Sequence, residues 1–435
     1  MWTKAEALAS GDSPWVRITM NTPKMRLVVP IAVPLLVGLF TAPLVAQTPQ
    51  TPPDEPETRA EVLQREREQK QQEVEPYEKN AVERGMILAE RRIVPLLNRD
   101  GIYARLGSLT TGSGFAYGSG YRDRSLVRGR GALDLWAARS LKRYWALEAR
   151  GSYPLTPDER VTLEGHARRF DSPEEEFFGI GPEARRVDQV AFDLSGSVVG
   201  GDINVALGRH VSFGGGVRDV RYTADRSETD RLRSIDEVFD RDDAPGLGIS
   251  QRLTVAAANF TFDYRQPLNA RRGGYYRLDF RNYDDRVRGL ANFTRVDLDL
   301  RQYVSFLSER RVLVGRALVS TTDAAAGGYI PYYLLPSLGG NLTLRGFRAD
   351  RFRGPHALLL QGEYRFEVWS GFDAALFADA GKVALRREDL NFSGLEHDYG
   401  IGFRFNTDQG VIARVDVAFG SSDGTHLHIV FGGLF

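Results

Sequence analysis

The sequence predicts an all-β protein: a sixteen-stranded antiparallel transmembrane β-barrel with an inward-folding long loop and a short helical N-terminal segment. The main observation is that apolar and polar side chains alternate with a period of two from about residue 101 onward. These segments are close to the ~9–11 residues that cross a membrane obliquely. An export signal precedes them, and 45 glycines with 11% aromatic residues favour strands over long helices.

Charge balance and cysteine content exclude several functional classes. Lys+Arg and Asp+Glu are equal at 57 each, so bulk electrostatics indicates neither nucleic acid nor an acidic partner. The chain has no cysteine, which excludes disulfides, thiol catalysis and cysteine-ligated metals. The mildly polar mean hydropathy is compatible with a membrane barrel, because alternating strands average out.

The N-terminal part is predicted to be an export signal followed by a linker. Lys24 and Arg26 precede an apolar run at 27–46 that contains prolines and has no basic flank after it. This pattern favours a cleaved signal peptide, residues 1–46 with an upstream extension, over a membrane anchor. Residues 47–100 are predicted to be a charged linker with short helices, and residues 101–435 the barrel.

The alternating segments carry charges of both signs on one face. Residues 295–301 read Arg-Val-Asp-Leu-Asp-Leu-Arg, and residues 275–281 and 411–419 alternate in the same way. A soluble sandwich would also alternate, but its polar face would meet bulk water. Together with the export signal, the pattern favours a barrel whose polar lumen is crossed by ion pairs.

Turn signals separate short connections from long ones. The short ones, at 207–210, 308–310, 370–373 and 406–410, are predicted at one rim, and the long ones, at 172–187, 225–249, 321–355 and 386–397, at the other. About fifteen strands can be counted, and closure favours an even number. A further strand near 102–109 gives sixteen, which places residues 339–347 between strands eleven and twelve.

Residues 339–347, Gly-Gly-Asn-Leu-Thr-Leu-Arg-Gly-Phe, do not read as an exposed loop. The apolar side chains require burial, which predicts a loop that folds into the lumen. Arg345 then needs a carboxylate, because an unpaired buried charge is very costly. Asp379, within the strand sequence Phe-Ala-Asp-Ala-Gly at 377–381, is the candidate. From spacing alone, an exposed arginine and an unrelated aspartate remain the alternative.

Residues 344–347 resemble the Val-Arg-Gly-Phe/Tyr loop signature of BamA/TamA-type outer-membrane barrels, the bacterial surface antigen family. Residues 377–381 resemble the Phe-x-Asp-x-Gly strand signature of that family, with Phe377 and Gly381 at its ends. The resemblance implies an integral outer-membrane protein with weakly paired first and last strands, which inserts proteins into the outer membrane or translocates them across it. Its expected partners are outer-membrane lipid and, as clients or helpers, outer-membrane proteins or periplasmic factors.

One departure from the family leaves alternatives open. Residues 47–100 are too few for the periplasmic repeat domains that family members commonly carry, which puts client capture in doubt. A passive pore and a structural surface barrel without client handling therefore remain alternatives.

The resemblance favours a pair between Arg345 and Asp379 that fastens the loop to the lumen wall. Gly346 is expected to permit close approach of the backbone, and Phe347 to pack beside the pair and exclude water. Glu363 or Asp416 is expected to supply a second acceptor. Arginine suits this role because its planar guanidinium binds a carboxylate through two hydrogen bonds.

The terminal strand ends in Phe431 and Phe435 on one face. This resembles the assembly signal that the outer-membrane insertion machinery recognises; an ordinary last core strand is the alternative.

No catalytic, metal or cofactor site is predicted. His426 and His428 share a strand face, but the sequence indicates no third ligand. Residues 177–181, Phe-Phe-Gly-Ile-Gly, lack the strand-loop-helix context of a nucleotide site. Ser113 and Ser119 lack a nucleophile elbow.

Overall fold

The computed structural model describes Arg84 and residues 99–431, except 230, 267–269, 308 and 408–409, and omits the side chains of 407, 410–412 and 431. The predicted signal peptide and most of the linker with its helices lie outside these residues, as does Phe435. No helix in the described part has the length and hydrophobicity needed to span a membrane.

The period-two segments form strands along almost the whole described chain. In order these are β1 (Gly101–Gly107), β2 (Ala116–Ser125), β3 (Gly131–Ser140), β4 (Trp145–Pro154), β5 (Val161–Phe177), β6 (Val190–Ala206), β7 (Val211–Arg226), β8 (Gln251–Asp263), β9 (Gly273–Asp285), β10 (Phe293–Phe306), β11 (Arg311–Ala324), β12 (Ser337–Leu338), β13 (Phe352–Arg353), β14 (His356–Trp369), β15 (Phe372–Ala384), β16 (Glu396–Thr407), β17 (Gly410–Ser421) and β18 (Gly424–Phe431). Single helical turns lie at Leu126–Gly129, Arg186–Asp188, Ile235–Glu237, Tyr332–Leu334 and Arg387–Asp389.

Sixteen of these strands form one antiparallel sheet in sequence order, from β1 to β11 and then from β14 to β18. The short strands β12 and β13 pair with each other inside the loop between β11 and β14. The edge strands β1 and β18 lie close together, and no ladder joins them within the described residues. The sheet is therefore a nearly closed barrel, which confirms the predicted all-β, sixteen-stranded fold. Residues 339–347 lie between its eleventh and twelfth strands.

The burial of alternate residues is the reverse of that in a soluble domain. On β10, Leu298 and Leu300 are exposed on the outer face, whereas Asp297 and Asp299 are buried in the lumen. The same parity puts Leu278 outside and Asp279 inside on β9. Strand alternation places successive side chains on opposite faces, so an apolar outer surface surrounds a charged interior.

The four connections predicted to be short and the four predicted to be long lie at opposite rims. β7 ends at Arg226, next to the predicted loop start at 225, whereas β5 continues to Phe177, five residues beyond the start of the loop predicted at 172–187. The reason is packing at the long-loop rim: Phe177 on β5 and Tyr222 on β7 belong to a buried apolar cluster that includes Tyr332 of the loop between β11 and β14. These contacts keep the projecting strand ends ordered.

Candidate functional site: a loop held inside the barrel

The loop between β11 and β14 turns sharply into the lumen at residues 339–347, which we call the anchor segment. Gly339 and Gly340 both have positive φ, 121° and 87°, a conformation that favours glycine. The backbone N–H of Gly340 donates to the Phe347 carbonyl at 3.0 Å, and Thr343 Oγ1 accepts from the Gly339 N–H at 2.7 Å. The anchor segment is thus a compact turn with its own hydrogen bonds.

Arg345 extends from this turn to Asp379 on β15. Its Nε donates to Asp379 Oδ2 at 2.7 Å and its Nη2 to Oδ1 at 2.8 Å, which is the two-bond geometry of a strong guanidinium–carboxylate pair. The Arg345 side chain is only 1% exposed. Burial by itself lowers the pKa of Arg345, but Asp379 and then Glu363 and Asp416 raise it above its usual range. Arg345 is therefore a fixed cation.

The third guanidinium nitrogen of Arg345, Nη1, contacts the two other predicted partners, Glu363 and Asp416. Arg345 Nη1 donates to Glu363 Oε2 at 3.0 Å and lies 3.7 Å from Asp416 Oδ2. Glu363 is thus a second hydrogen-bond acceptor, and Asp416 contributes at ion-pair distance.

Three wall arginines with no role predicted from the sequence complete this cluster. Arg404 Nη2 lies 2.7 Å from Glu363 Oε2 and its Nη1 2.5 Å from Asp416 Oδ1. Arg365 Nε lies 2.6 Å from Glu363, and Arg414 Nε lies 3.1 Å from Asp416. Buried charges tolerate desolvation only when paired and hydrogen-bonded, so this network needs all of its members. Their shared lumenal parity was the only sequence signal for them.

The barrel wall also binds the main chain of the anchor segment. Five of its carbonyls accept hydrogen bonds from wall side chains. The pairs are Arg414 to Asn341 (2.5 Å), Arg316 to Leu342 (3.0 Å), Gln361 to Thr343 (2.7 Å), His428 to Arg345 (2.7 Å) and Ser421 to Gly346. For the fourth pair, His428 carries its proton on Nε2, because a carbonyl can only accept. Nothing in the loop sequence indicated these donors.

Each aromatic residue of the two motifs has a distinct place. The ring that covers the Arg345 guanidinium is that of Phe377, with Arg345 Cζ 3.5 Å from the ring centroid. Phe347 is fully buried with Leu344 and Leu359, and its ring contacts Phe352 edge-on at 5.1 Å between centroids. The structure thus places Phe347 in an apolar layer of the loop and leaves the cover of the pair to Phe377.

The two motif glycines provide space. A Cβ on Gly346 would overlap the side chain of Asp398 on β16, and a Cβ on Gly381 would lie 3.1 Å from Leu338 of the loop and 2.8 Å from the Leu358 carbonyl. A larger residue at either position would push the loop away from the wall.

The outer part of the same loop, residues 329–335, crosses toward the opposite wall. The Tyr332 ring packs edge-on against Phe177 and Phe192, with centroids 5.0 Å and 4.9 Å apart. The Tyr332 N–H donates to the carbonyl of Pro245 in the loop between β7 and β8 at 3.0 Å. The loop therefore contacts both halves of the barrel.

Some of the remaining predicted residues lie outside the described part of the chain. Phe431 is the last residue of β18, where its backbone pairs with Ala413; its side chain, like all of Phe435, lies outside the described residues. His426 and His428 stack with ring centroids 6.2 Å apart, and His428 contacts the anchor segment. No cluster of three or more potential metal ligands is found in the described part of the chain.

Comparison with known proteins gives one family and two similar solved structures. A model of the Omp85 superfamily domain matches residues 127–433. The barrel is similar to BamA from Haemophilus ducreyi lacking POTRA domains 1–3, with a TM-score of 0.57 and 13% identity over 76% of this chain and 69% of that one. It is also similar to CdiB from Escherichia coli, with a TM-score of 0.52 and 12% identity over 77% of this chain and 62% of that one. No curated protein sequence matches.

Proposed function

Because this chain belongs to the Omp85 superfamily, we propose that it is an integral outer-membrane protein that inserts polypeptides into the outer membrane or translocates them across it. The match over residues 127–433 agrees with the resemblance of the two motifs to BamA/TamA-type barrels. The structural neighbours support the fold, and the function is inferred from family and site together.

The outer surface supports a membrane location. Leu147, Val199, Leu313, Leu376 and Ile401 are all exposed and come from strands around the barrel. Large exposed apolar surfaces in a folded protein indicate a partner or a lipid environment. The antiparallel ladders between neighbouring strands satisfy most backbone hydrogen bonds within the sheet, as a lipid environment requires. Outer-membrane lipid is therefore proposed to surround this apolar outer face.

The observation that carries the proposal is the anchoring of the loop to the last hairpin of the barrel. His428 on β18 and Ser421 at the end of β17 bind the carbonyls of Arg345 and Gly346. β18 is an edge strand that lies beside β1 without a described ladder. Any movement of this edge would alter the loop position, which is the coupling expected of a barrel that handles polypeptides at its seam.

The course of the loop argues against a passive pore. Residues 329–335 pack on one half of the rim and the anchor segment on the other, so the loop crosses the lumen at this level. Thr111, in the connection between β1 and β2, extends the contacts by donating to Asn341 Oδ1 at 2.9 Å. A permanently open channel would not need so many contacts across its mouth.

A reconstitution assay tests the proposal. The full chain is refolded into liposomes and an unfolded outer-membrane barrel is added as client; its folding is followed by heat-modifiable migration on gels. We expect several-fold faster folding than in empty liposomes, and a loss of most of this gain in Arg345→Ala. The matched control is Arg221→Ala, an exposed arginine on the outer end of β7, which should behave like the wild type.

Conductance in planar bilayers separates the alternatives. The proposal expects low, intermittent conductance in the wild type. A steady large conductance without any effect on the client would establish a passive pore instead. A folded barrel that neither conducts nor accelerates client folding would support a purely structural role and overturn the proposal.

A further inference from the structure

We propose that the lumen wall formed by β1, β3, β4 and β5 contains a binding site for a phosphate group, independent of the anchor network. Its central residues are Arg105, Arg168 and Trp136, with Glu148 and Arg150 beside them. All lie at lumenal positions of strands other than those that carry the carboxylates and wall arginines of the anchor network.

Both central arginines face the same indole. Arg105 Cζ lies 3.7 Å from the centroid of the Trp136 ring, and Arg168 Cζ lies 5.7 Å from it. A cation over an aromatic face is favourable, and this contact uses the face of the guanidinium rather than its N–H edge. Two such edges beside one ring form a preorganised donor surface.

The hydrogen-bonding capacity of these arginines is largely unused. Arg168 has a side chain only 4% exposed and bonds Glu148 through Nη1 at 3.1 Å, while its Nε and Nη2 have no partner among the described residues. Among the described residues, the contacts of Arg105 are electrostatic, with Glu148 and Asp134, and aromatic, with Trp136. Buried N–H groups without partners are costly, so an acceptor from outside the chain would be stabilising.

The local charge has the sign that an anion requires. Arg105, Arg150 and Arg168 surround Glu148, whose Oε1 is bound by Arg150 Nε at 2.5 Å. Asp134, which also acts on Arg105, is paired with Arg122. With Glu164 on β5 included, four arginines face three carboxylates, which leaves one positive charge in excess. The anchor network differs, because each of its carboxylates is bound by at least one arginine and each arginine by a carboxylate.

A phosphate group fits these donors better than a second carboxylate would. It offers oxygens in tetrahedral directions, so guanidinium groups on β1 and β5 can each donate to a different oxygen, whereas Glu148 already accepts from Nη1 of Arg168. Arginine is the residue most suited to such recognition. The same phosphate chemistry is available from the free ion and from a lipid headgroup.

Binding can be measured on the full chain refolded in zwitterionic detergent micelles. Sodium phosphate is titrated at constant ionic strength, with sodium chloride as compensation, and tryptophan fluorescence and the melting temperature are recorded. We expect saturable binding that weakens at least tenfold in Arg105→Gln and in Arg168→Gln. Glu148→Gln removes the competing carboxylate and should bind several-fold more tightly, an outcome that general destabilisation cannot produce.

The matched control is Arg218→Gln on β7, a lumenal arginine paired with Asp202 at 2.9 Å, which should bind phosphate like the wild type. Soluble dihexanoyl phosphatidic acid, used below its micelle concentration, distinguishes the sources. Tighter binding than inorganic phosphate at the same two arginines would identify a lipid headgroup, and equal binding would identify the free ion. Non-saturable binding, or binding unchanged in both arginine variants, would mean an adventitious ion only and would overturn the proposal.

Discussion

The two halves of the loop between β11 and β14 are held by different physics. Residues 329–335 are held to the β5–β10 side by packing: Tyr332, Tyr333 and Leu334 are fully buried in an apolar cluster. The anchor segment also buries Leu344 and Phe347, but its position on the β11–β18 side is set by ion pairs and by hydrogen bonds, five of which end on its own carbonyls. Apolar packing is non-directional and follows buried area, whereas hydrogen bonds impose distance and angle.

This difference assigns separate tasks to the two halves. The outer half should contribute mainly to stability, because large aromatic side chains bury much apolar area. The anchor segment should contribute mainly to position, because paired buried charges offset their own desolvation cost with little net gain. The expected loss in the free energy of unfolding therefore decreases from the aromatic contacts to the single hydrogen bond at the edge strand.

Truncating an aromatic side chain of residues 329–335 should have the largest effect on the free energy of unfolding. Tyr332→Ala removes a ring in contact with Phe177 and Phe192 and should lower the free energy of unfolding by about 3–5 kcal/mol. The measurement is urea unfolding in detergent micelles, followed by tryptophan fluorescence. Tyr332→Phe is the control: the buried hydroxyl has no described partner, so its removal should be neutral or slightly stabilising. Equal losses in both variants would contradict the packing argument.

Removing the Arg345 guanidinium should lower the free energy of unfolding less than Tyr332→Ala does. It should mainly change the position of the anchor segment. Arg345→Ala leaves Asp379 buried without its main donor and should lower the free energy of unfolding by about 3 kcal/mol. Asp379→Ala should cost a similar amount, and the double variant little more than either, as expected of coupled partners. Protease access to residues 325–355 should rise in all three variants. Additive losses in the cycle would show that the two residues act independently.

Adding one methyl group should displace the anchor segment without removing any contact partner. The Cβ of Gly346→Ala would overlap Asp398, and relief of such overpacking costs about 1–3 kcal/mol. Client folding should fall nearly as far as in Arg345→Ala, since the displaced segment loses its register with the wall donors. Gly362→Ala, a barrel glycine whose Cβ has 3.9 Å to its nearest neighbour, is the matched control and should be neutral.

The smallest effect should come from one main-chain contact at the edge strand. His428→Ala removes a single hydrogen bond to the Arg345 carbonyl and should cost about 1 kcal/mol. His428→Gln retains a donor and should recover part of the loss. A cysteine crosslinking readout between β1 and β18 should show more frequent separation in His428→Ala; unchanged crosslinking would argue against coupling between loop and seam.

Much of the fold was accessible from local sequence pattern. Alternation at residues 275–281 and 295–301 identified strands and separated the charged face from the apolar one. The short and long turn signals predicted the two rims, and the strand count predicted the place of the loop. These properties could be read because a strand alternates its faces every residue, which is a property of neighbours in sequence.

The candidate site was accessible only in part. The apolar residues around Arg345 indicated an inward loop, but the choice of Asp379 as its partner depended on resemblance to a family, since spacing alone left an exposed arginine open. Glu363 and Asp416 were expected as acceptors, whereas Arg365, Arg404 and Arg414, which complete their network, were not assigned.

By itself, the sequence determined which side chains face the lumen and which segment folds inward. Only the tertiary structure decided which lumenal side chains meet: His428 and Ser421 at the loop carbonyls, Phe377 over Arg345, and Arg105 beside Arg168 over Trp136. The physical reason is that the face on which a strand residue lies depends only on its position along that strand. Contacts between residues on different strands of a barrel depend on strand tilt, stagger and closure of the whole sheet. Hydrogen bonds to main-chain carbonyls, moreover, cannot be recognised from the sequence, because every residue type carries the same carbonyl group.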